Sequence, residues 1–151
     1  MMTDSISNAE LAKRLQRRRA RACTILSLFL ILQQVTIFAH GDRQRLVDYV
    51  NIGLWSTMSA LVLLLLTTGG FWFRSPEVRA MLAGDDTRAN RAGAFRTGFL
   101  FAMITGIVLY LIQFTWEFSP GDGIQLIVTV GLVSALLHFS ITERRSLGRA
   151  P

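Results

Sequence analysis

This sequence contains very little cysteine and has no charged residue within its long apolar stretches. Cys23 is the only cysteine among 151 residues, which excludes an intramolecular disulfide, a CxxC redox pair and a cysteine zinc cluster. Four-helix membrane enzymes that oxidise thiols are therefore excluded. Charged side chains are absent from four runs, residues 22–41, 49–73, 97–116 and 123–142. Proton pumps, ion-coupled exporters and voltage sensors generally need a charge inside such a run, so the sequence disfavours these classes too.

The four uncharged runs predict transmembrane helices. Each run holds 20 to 25 residues, and a hydrocarbon core about 30 Å thick needs about 20 residues of α-helix. Hydrophobic residues make up 51% of the chain, which leaves too few polar residues to cover four buried helices of a soluble protein. We therefore predict an all-α membrane protein, a four-transmembrane-helix bundle that forms one integral membrane domain over residues 1–151. The first run is too long for the apolar part of a cleaved signal peptide, so we interpret it as a retained helix.

The distribution of basic residues predicts the orientation. Of the 16 basic residues, 14 lie in the N-terminal tail, the connection over residues 74–96 and the C-terminal tail 143–151, and the other 2 lie between the first two runs. Because basic residues that flank spans stay in the cytoplasm, both termini and the 74–96 connection are predicted to be cytoplasmic (N-in/C-in). The formal charge of +6 then reflects orientation and contact with anionic lipid head groups, and no nucleic-acid partner is predicted.

The N-terminal tail, residues 1–21, is predicted to be a basic cytoplasmic helix that continues into the first span. Ser7 and Glu10 have the spacing of a capping box, a pattern that opens helices. The arginines of this helix are expected to lie on anionic lipid head groups. Docking of a soluble partner is the alternative.

The 74–96 connection is predicted to be a short helical elbow between the second and third spans. Ser75 and Pro76 fit an N-cap and a first helical position. A short helix is therefore expected over residues 77–83, with Asp85 or Asp86 capping a second helix that continues into the third span. The candidate interaction residues of the elbow are Asp85, Asp86, Arg88, Asn90 and Arg91. The two aspartates could ligate a divalent cation, but caps and ion-pair partners are the commoner role, so no metal site or cofactor is predicted.

The elbow also carries a resemblance. Its segments Ser-Pro-Glu-Val-Arg-Ala-Met-Leu and Asp-Asp-Thr-Arg-Ala-Asn-Arg resemble a family of small uncharacterised bacterial inner-membrane proteins that have an acidic-then-arginine motif at the cytoplasmic start of a transmembrane helix. The resemblance covers residues 75–100 of the chain. It implies a bacterial plasma membrane and a four-helix architecture, and it implies no activity or catalytic residue.

Four glutamines are the main polar groups inside the predicted spans: Gln33, Gln34, Gln113 and Gln125. They are predicted to lie toward the outer half of the membrane. They form either a polar pocket for a small ligand, a lipid head group or a quinone, or hydrogen bonds between helices. Because the adjacent Gln33 and Gln34 cannot share one helix face, hydrogen bonds between helices are favoured.

Two histidines raise the question of haem. His40 lies at the outer end of the first span and His138 near the inner end of the fourth, so they cannot be the two axial ligands of one haem within a monomer. His138 is expected instead to hydrogen-bond a neighbouring backbone group or the elbow acids.

Small residues in the third and fourth spans predict close helix packing. They recur every four residues, at Gly98, Ala102 and Gly106 in the third span and at Gly131 and Ala135 in the fourth. Small residues at that spacing let two helix backbones approach closely. The third span is therefore predicted to be the centre of the bundle or an oligomer interface.

Three kinds of function remain open. The favoured hypothesis is a non-enzymatic accessory, regulatory or scaffold subunit that acts through protein or lipid interaction, as part of a homo-oligomer or a larger membrane complex. The alternative is a small homo-oligomeric transporter or channel without intramembrane charges. A membrane enzyme acting on a lipid with Arg, His and Asp is the third, but no spaced nucleophile, base and orienting group supports it.

Overall fold

The computed structural model describes the backbone of residues 2–39, 45–68, 85–115 and 119–149, and the side chains of residues 14, 16–36, 49–68, 88–115 and 119–145. The regular structure in these ranges is helical. It consists of α1 (Met2–Ala39), α2 (Arg45–Thr68), α3 (Asp85–Ile112) and α4 (Pro120–Arg149). The all-α prediction is confirmed. The predicted short helix over residues 77–83 and the ends of the first, second and third charge-free runs lie outside the described residues.

Three of the four helices are long and apolar enough to cross a membrane. The qualifying segments are Tyr49–Thr68, Arg88–Ile112 and Pro120–Arg145, which fall on the second, third and fourth predicted spans. The segment Arg88–Ile112 begins well before Thr97, where the third predicted span starts, because α3 continues without interruption from Asp85 into its apolar part. The first predicted span lies in α1 and reaches Gly41, beyond the described residues.

Local sequence explains where α4 begins. Ser119 precedes Pro120, the first residue of α4, and Asp122 lies in the first turn. Proline is favoured at the first helical position, and an acidic side chain in the first turn interacts favourably with the helix dipole.

Helix α1 is a single helix of 38 residues, about 57 Å long at 1.5 Å per residue. It contains both the basic tail and the first predicted span. It begins at Met2, five residues before Ser7, so the capping-box prediction of the helix start is wrong. The basic segment and the apolar segment therefore belong to one continuous helix.

Helix α4 lies at the centre of the described structure. It makes the main contacts with both α1 and α3, and α2 packs against it more lightly. Ser140 contacts Ala20 and Thr129 contacts Gln34, so α1 and α4 run antiparallel. The sequence predicted α3 as the possible centre. Among the described residues the central helix is α4, because it packs extensively against both α3 and α1.

The buried core is small and joins all four helices. Its residues are Cys23, Leu30, Val62, Leu66, Ala94, Leu132, Ala135, Leu136 and Phe139. Many large apolar side chains lie outside it, and on α3 Phe99 is 65% exposed and Leu111 is 62% exposed. An outward apolar surface of this kind is typical of a helix in contact with lipid tails, where exposed leucine and phenylalanine carry no penalty.

Candidate functional site

The described polar side chains concentrate at two levels of the bundle. The first level, here the charged cluster, contains Arg19 and Thr24 of α1 and Ser140, Glu143 and Arg144 of α4. The second, here the Trp55 relay, contains Gln34 of α1, Trp55 of α2 and Thr129 of α4. Along α4 the two levels are 11 or more residues apart, which corresponds to at least about 16 Å.

A buried ion pair forms the middle of the charged cluster. Arg19 Nη1 lies 3.9 Å from Glu143 Oε1, and Glu143 is only 1% exposed. The Arg19 guanidinium also lies over the Phe139 ring, 4.5 Å from its centroid, a favourable cation–π geometry. Burial lowers the pKa of the Arg19 guanidinium from its ordinary value, while the negative charge of Glu143 opposes that shift. The two opposite charges therefore offset part of the desolvation cost of burying each other.

Hydroxyl groups extend the charged cluster by one turn. The hydroxyls of Thr24 and Ser140 lie 2.8 Å apart, and both lie within hydrogen-bonding distance of the Ala20 carbonyl oxygen, at 3.0 and 2.9 Å. Arg144 Nη2 donates to Thr24 Oγ1 at 3.2 Å. These contacts connect α1 to α4 just beyond the ion pair, so the relative rotation of the two helices is fixed at this end.

The Trp55 relay connects three helices through one hydroxyl. Trp55 Nε1 donates to Thr129 Oγ1 at 3.0 Å, and Thr129 Oγ1 donates to Gln34 Oε1 at 3.0 Å. Thr129 thus uses its hydroxyl as acceptor and donor at once. Gln34 and Thr129 are 7% and 3% exposed, so the relay is buried where α1, α2 and α4 meet.

Several amide and hydroxyl atoms around the relay are buried without a hydrogen-bond partner in the described part of the chain. They are Gln34 Nε2, both amide atoms of Gln33, Gln125 Nε2 and Ser59 Oγ. Gln125 lies one turn from Thr129 along α4, and Ser59 lies one turn from Trp55 along α2. Gln34 thus contacts α4 at Thr129, and Gln125 is a buried residue one turn away from that contact along α4. Gln113 is different, because it is exposed and follows the end of α3.

The elbow residues are described in part. The side chains of Asp85 and Asp86 lie outside the described set, while Arg88 is exposed and Asn90 is partly buried. Arg91 Nη1 donates to the Thr67 carbonyl oxygen at 2.8 Å. Thr67 is in the last described turn of α2, so this contact connects that part of α2 to the first turns of α3.

The small residues of α3 and α4 face one another at very short distance. A Cβ added to Gly98 would lie 2.7 Å from the Gly131 carbonyl oxygen and 2.9 Å from Ala135 Cβ. A Cβ on Gly131 would lie 3.1 Å from Ala102 Cβ, whereas one on Gly106 would meet nothing closer than Ile127 Cδ1 at 3.6 Å. The tightest approach of the two backbones is therefore at Gly98 and Gly131.

His138 packs against α3 beside this contact. Its Cε1 atom lies 3.0 Å from the position a Cβ would take on Gly93, and its Nδ1 atom is buried without a hydrogen-bond partner in the described part of the chain. Within the same residues, no group of three or more His, Cys, Asp or Glu side chains is close enough to hold a metal ion. His138 thus has a packing contact that the sequence did not predict.

The comparisons with known proteins give no relative for this chain. Neither a protein-family model, nor a curated protein, nor a solved structure matches it. The functional assignment therefore depends on the residues themselves.

Sequence reasoning missed the partners that complete both polar levels. Thr129 was not among the predicted site residues, although it lies one turn from Gln125 on the same face of α4. Glu143 was assigned to the tail, although Leu132, Leu136, Phe139 and Glu143 follow the spacing of one helix face. The periodicity of α4 was the signal that could have placed Glu143 on the buried side.

Proposed function

We propose that the chain is a four-span protein of the bacterial inner membrane, with both termini in the cytoplasm. It acts there as a non-enzymatic accessory, regulatory or scaffold subunit. The observation that carries the proposal is the set of contacts between α1 and α4 in the charged cluster. These contacts hold the basic half of α1 and the end of α4 together as one surface. The exposed arginines of this surface are Arg14, Arg17, Arg18, Arg21, Arg144 and Arg145.

The packing of α1 against α4 supports the fourth span. Helix α4 is long and apolar enough to cross a membrane over Pro120–Arg145. Ala20 and Gln34 of α1 contact Ser140 and Thr129 of α4, so the segment between them lies beside the spanning part of α4. A segment in that position shares the same membrane depth. With four spans and a basic excess at both tails, the charged cluster lies at the cytoplasmic side.

The contact between Arg91 and Thr67 supports a cytoplasmic elbow. It holds the end of α2 against the beginning of α3, the two points that the segment 69–84 connects. The resemblance of residues 75–100 to small bacterial inner-membrane proteins agrees with this placement. The elbow then offers a partner acidic, basic and amide side chains on the same side as the α1–α4 surface. These residues are Asp85, Asp86, Arg88 and Asn90.

Topology is tested first, with reporter fusions. Alkaline phosphatase, which is active only outside the cytoplasm, is expected to be active when fused after Gly41 or Gly121 and inactive after Ala83. Green fluorescent protein at the same positions serves as the control and should show the opposite pattern. Active phosphatase after Ala83 would contradict the orientation, and equal activity after Gly41 and Ala83 would contradict the second span, which lies between them.

The accessory role is tested by purification in mild detergent followed by mass spectrometry. We expect a protein partner at fixed stoichiometry. Replacing Arg14, Arg17 and Arg18 together with lysine keeps the positive charge that attracts lipid but removes the planar guanidinium groups that recognise carboxylates in pairs of hydrogen bonds. The triple lysine variant should therefore insert normally and lose the partner.

The control replaces Gln113, an exposed residue that follows the end of α3, with alanine and should keep the partner. If the wild-type protein purifies instead as a homo-oligomer with no second protein, the accessory role is wrong. The transporter or channel alternative then takes its place.

A further inference from the structure

The buried N–H donors around the Trp55 relay indicate which kind of group could bind there, namely a hydrogen-bond acceptor. The relay uses Gln34 Oε1 as an acceptor and leaves Gln34 Nε2 without a partner among the described residues. Gln125 Nε2, one turn away along α4, is in the same state. Both glutamines are more than nine-tenths buried, at 7% and 8% exposed. Two buried amide groups with unpartnered N–H donors thus lie at the relay or one turn from it, and the buried Ser59 hydroxyl lies one turn from Trp55 along α2.

Such donors are costly in a membrane interior. Lipid tails and apolar side chains accept no hydrogen bonds, so an amide N–H that leaves water must find an acceptor within the protein or from a bound molecule. Leucine at both positions would pack the same contact without that cost. We propose that the contact between α1, α2 and α4 at the Trp55 relay is a binding site for an uncharged, apolar molecule that presents carbonyl oxygens. A quinone and an ester-linked lipid are the two sources of that chemistry.

The surrounding charges favour a neutral ligand. No lysine or arginine occurs within two turns of Gln34, Trp55 or Thr129 along their helices. The nearest charged residue on α4 is Asp122, one turn before Gln125, and its carboxylate repels an anion. A carboxylate or phosphate ligand would therefore be buried without a compensating cation. A carbonyl oxygen needs only the N–H donors that the site supplies.

The ligand would reach the site from the bilayer. Val35 of α1 and Leu54 of α2 are 58% and 47% exposed, next to the relay residues Gln34 and Trp55. The amide nitrogens themselves are enclosed, so binding requires a helix to move aside. Helix α2 is the candidate because it packs most lightly on the other helices.

Trp55 fluorescence tests the site. In a variant with Trp72→Phe and Trp116→Phe, the remaining Trp55 reports on the relay. The protein is placed in nanodiscs of ether-linked phospholipid, which has no carbonyl groups, and titrated in one arm with a short-chain benzoquinone and in the other with an ester-linked diacylglycerol. We expect a saturable change in the emission of Trp55 in one arm, and that arm identifies the source of the carbonyl.

Matched variants separate binding from partition into the lipid. Gln34→Leu with Gln125→Leu should weaken the saturable response by about tenfold or more, a factor equivalent to ~1.4 kcal/mol, and exposed Gln113→Leu should leave it unchanged. If the double variant does not fold, Gln125→Met tests the same donor and leaves the relay intact. Two results would overturn the proposal. One is a linear, unsaturable response in both arms; the other is a saturable response that the Gln125 variant does not weaken. Neither depends on whether a protein partner co-purifies.

Discussion

The contact between Gly98 and Gly131 makes a sharp prediction about the α3–α4 interface. In Gly98→Ala, the new Cβ would lie 2.7 Å from the Gly131 carbonyl oxygen and 2.9 Å from Ala135 Cβ. Neither neighbour can rotate away, because one is backbone and the other is a methyl group fixed to it. Forcing an extra methyl into a packed contact costs about 1 to 3 kcal/mol. The helix preference for alanine over glycine returns about 0.5 to 1 kcal/mol. Subtracting the middle of this range from the middle of the packing cost leaves an expected net loss of unfolding free energy of about 1 kcal/mol.

Gly106→Ala is the matched control on the same helix. Its Cβ would have Ile127 Cδ1 as nearest atom, at 3.6 Å, an ordinary van der Waals contact. The helix preference then acts alone, and this variant is expected to gain about 0.5 kcal/mol. Both variants are measured by equilibrium unfolding in mixed micelles with one denaturing detergent. Equal shifts for the two variants, or a more stable Gly98→Ala protein, would refute the close backbone contact.

Two other contacts give predictions of the same kind. In Glu143→Ala the buried Arg19 guanidinium loses the carboxylate that lies 3.9 Å from it, and the unfolding free energy should fall by about 3 kcal/mol. Replacing both ion-pair residues with leucine should recover most of that loss, so a double variant as unstable as the single one would contradict the pair. Thr129→Val removes the acceptor of Trp55 and the donor to Gln34, and should cost about 1 kcal/mol in unfolding free energy. A Trp55 emission spectrum unchanged by Thr129→Val would mean that the indole does not depend on this hydroxyl.

The long apolar helices could be predicted because the length of an uncharged run is read directly along the sequence. The uncharged runs over residues 49–73, 97–116 and 123–142 predicted three membrane spans, and the described helices that overlap these runs are long and apolar enough to cross a membrane. The predicted start of α1 was wrong because it depended on a local pattern alone. A capping box at Ser7 describes a favourable local start, but it does not prevent a helix from beginning earlier at Met2.

The partners across helices were harder to predict because they depend on rotation and depth. The spacing of Gly98 and Ala102 indicates a small face on α3, but it does not show that Gly131 lies opposite. Thr129 could be paired with Gln34 only once the antiparallel register of α1 and α4 was known. The sequence also does not show which helix is central, since that depends on how many faces of each helix are covered.

The buried ion pair of the charged cluster is costly to desolvate, and it fixes how α1 is rotated against α4. A buried ion pair adds little net stability compared with apolar residues of similar size, because desolvation offsets the attraction between the charges. Its effect here is one of placement, because Arg19 can meet Glu143 and the Phe139 ring together only at one rotation of α1 on α4. That rotation decides which way the exposed Arg17 and Arg18 face. The leucine pair that restores stability would remove this constraint, so loss of a partner in a stable double variant would identify placement as the role of the cluster.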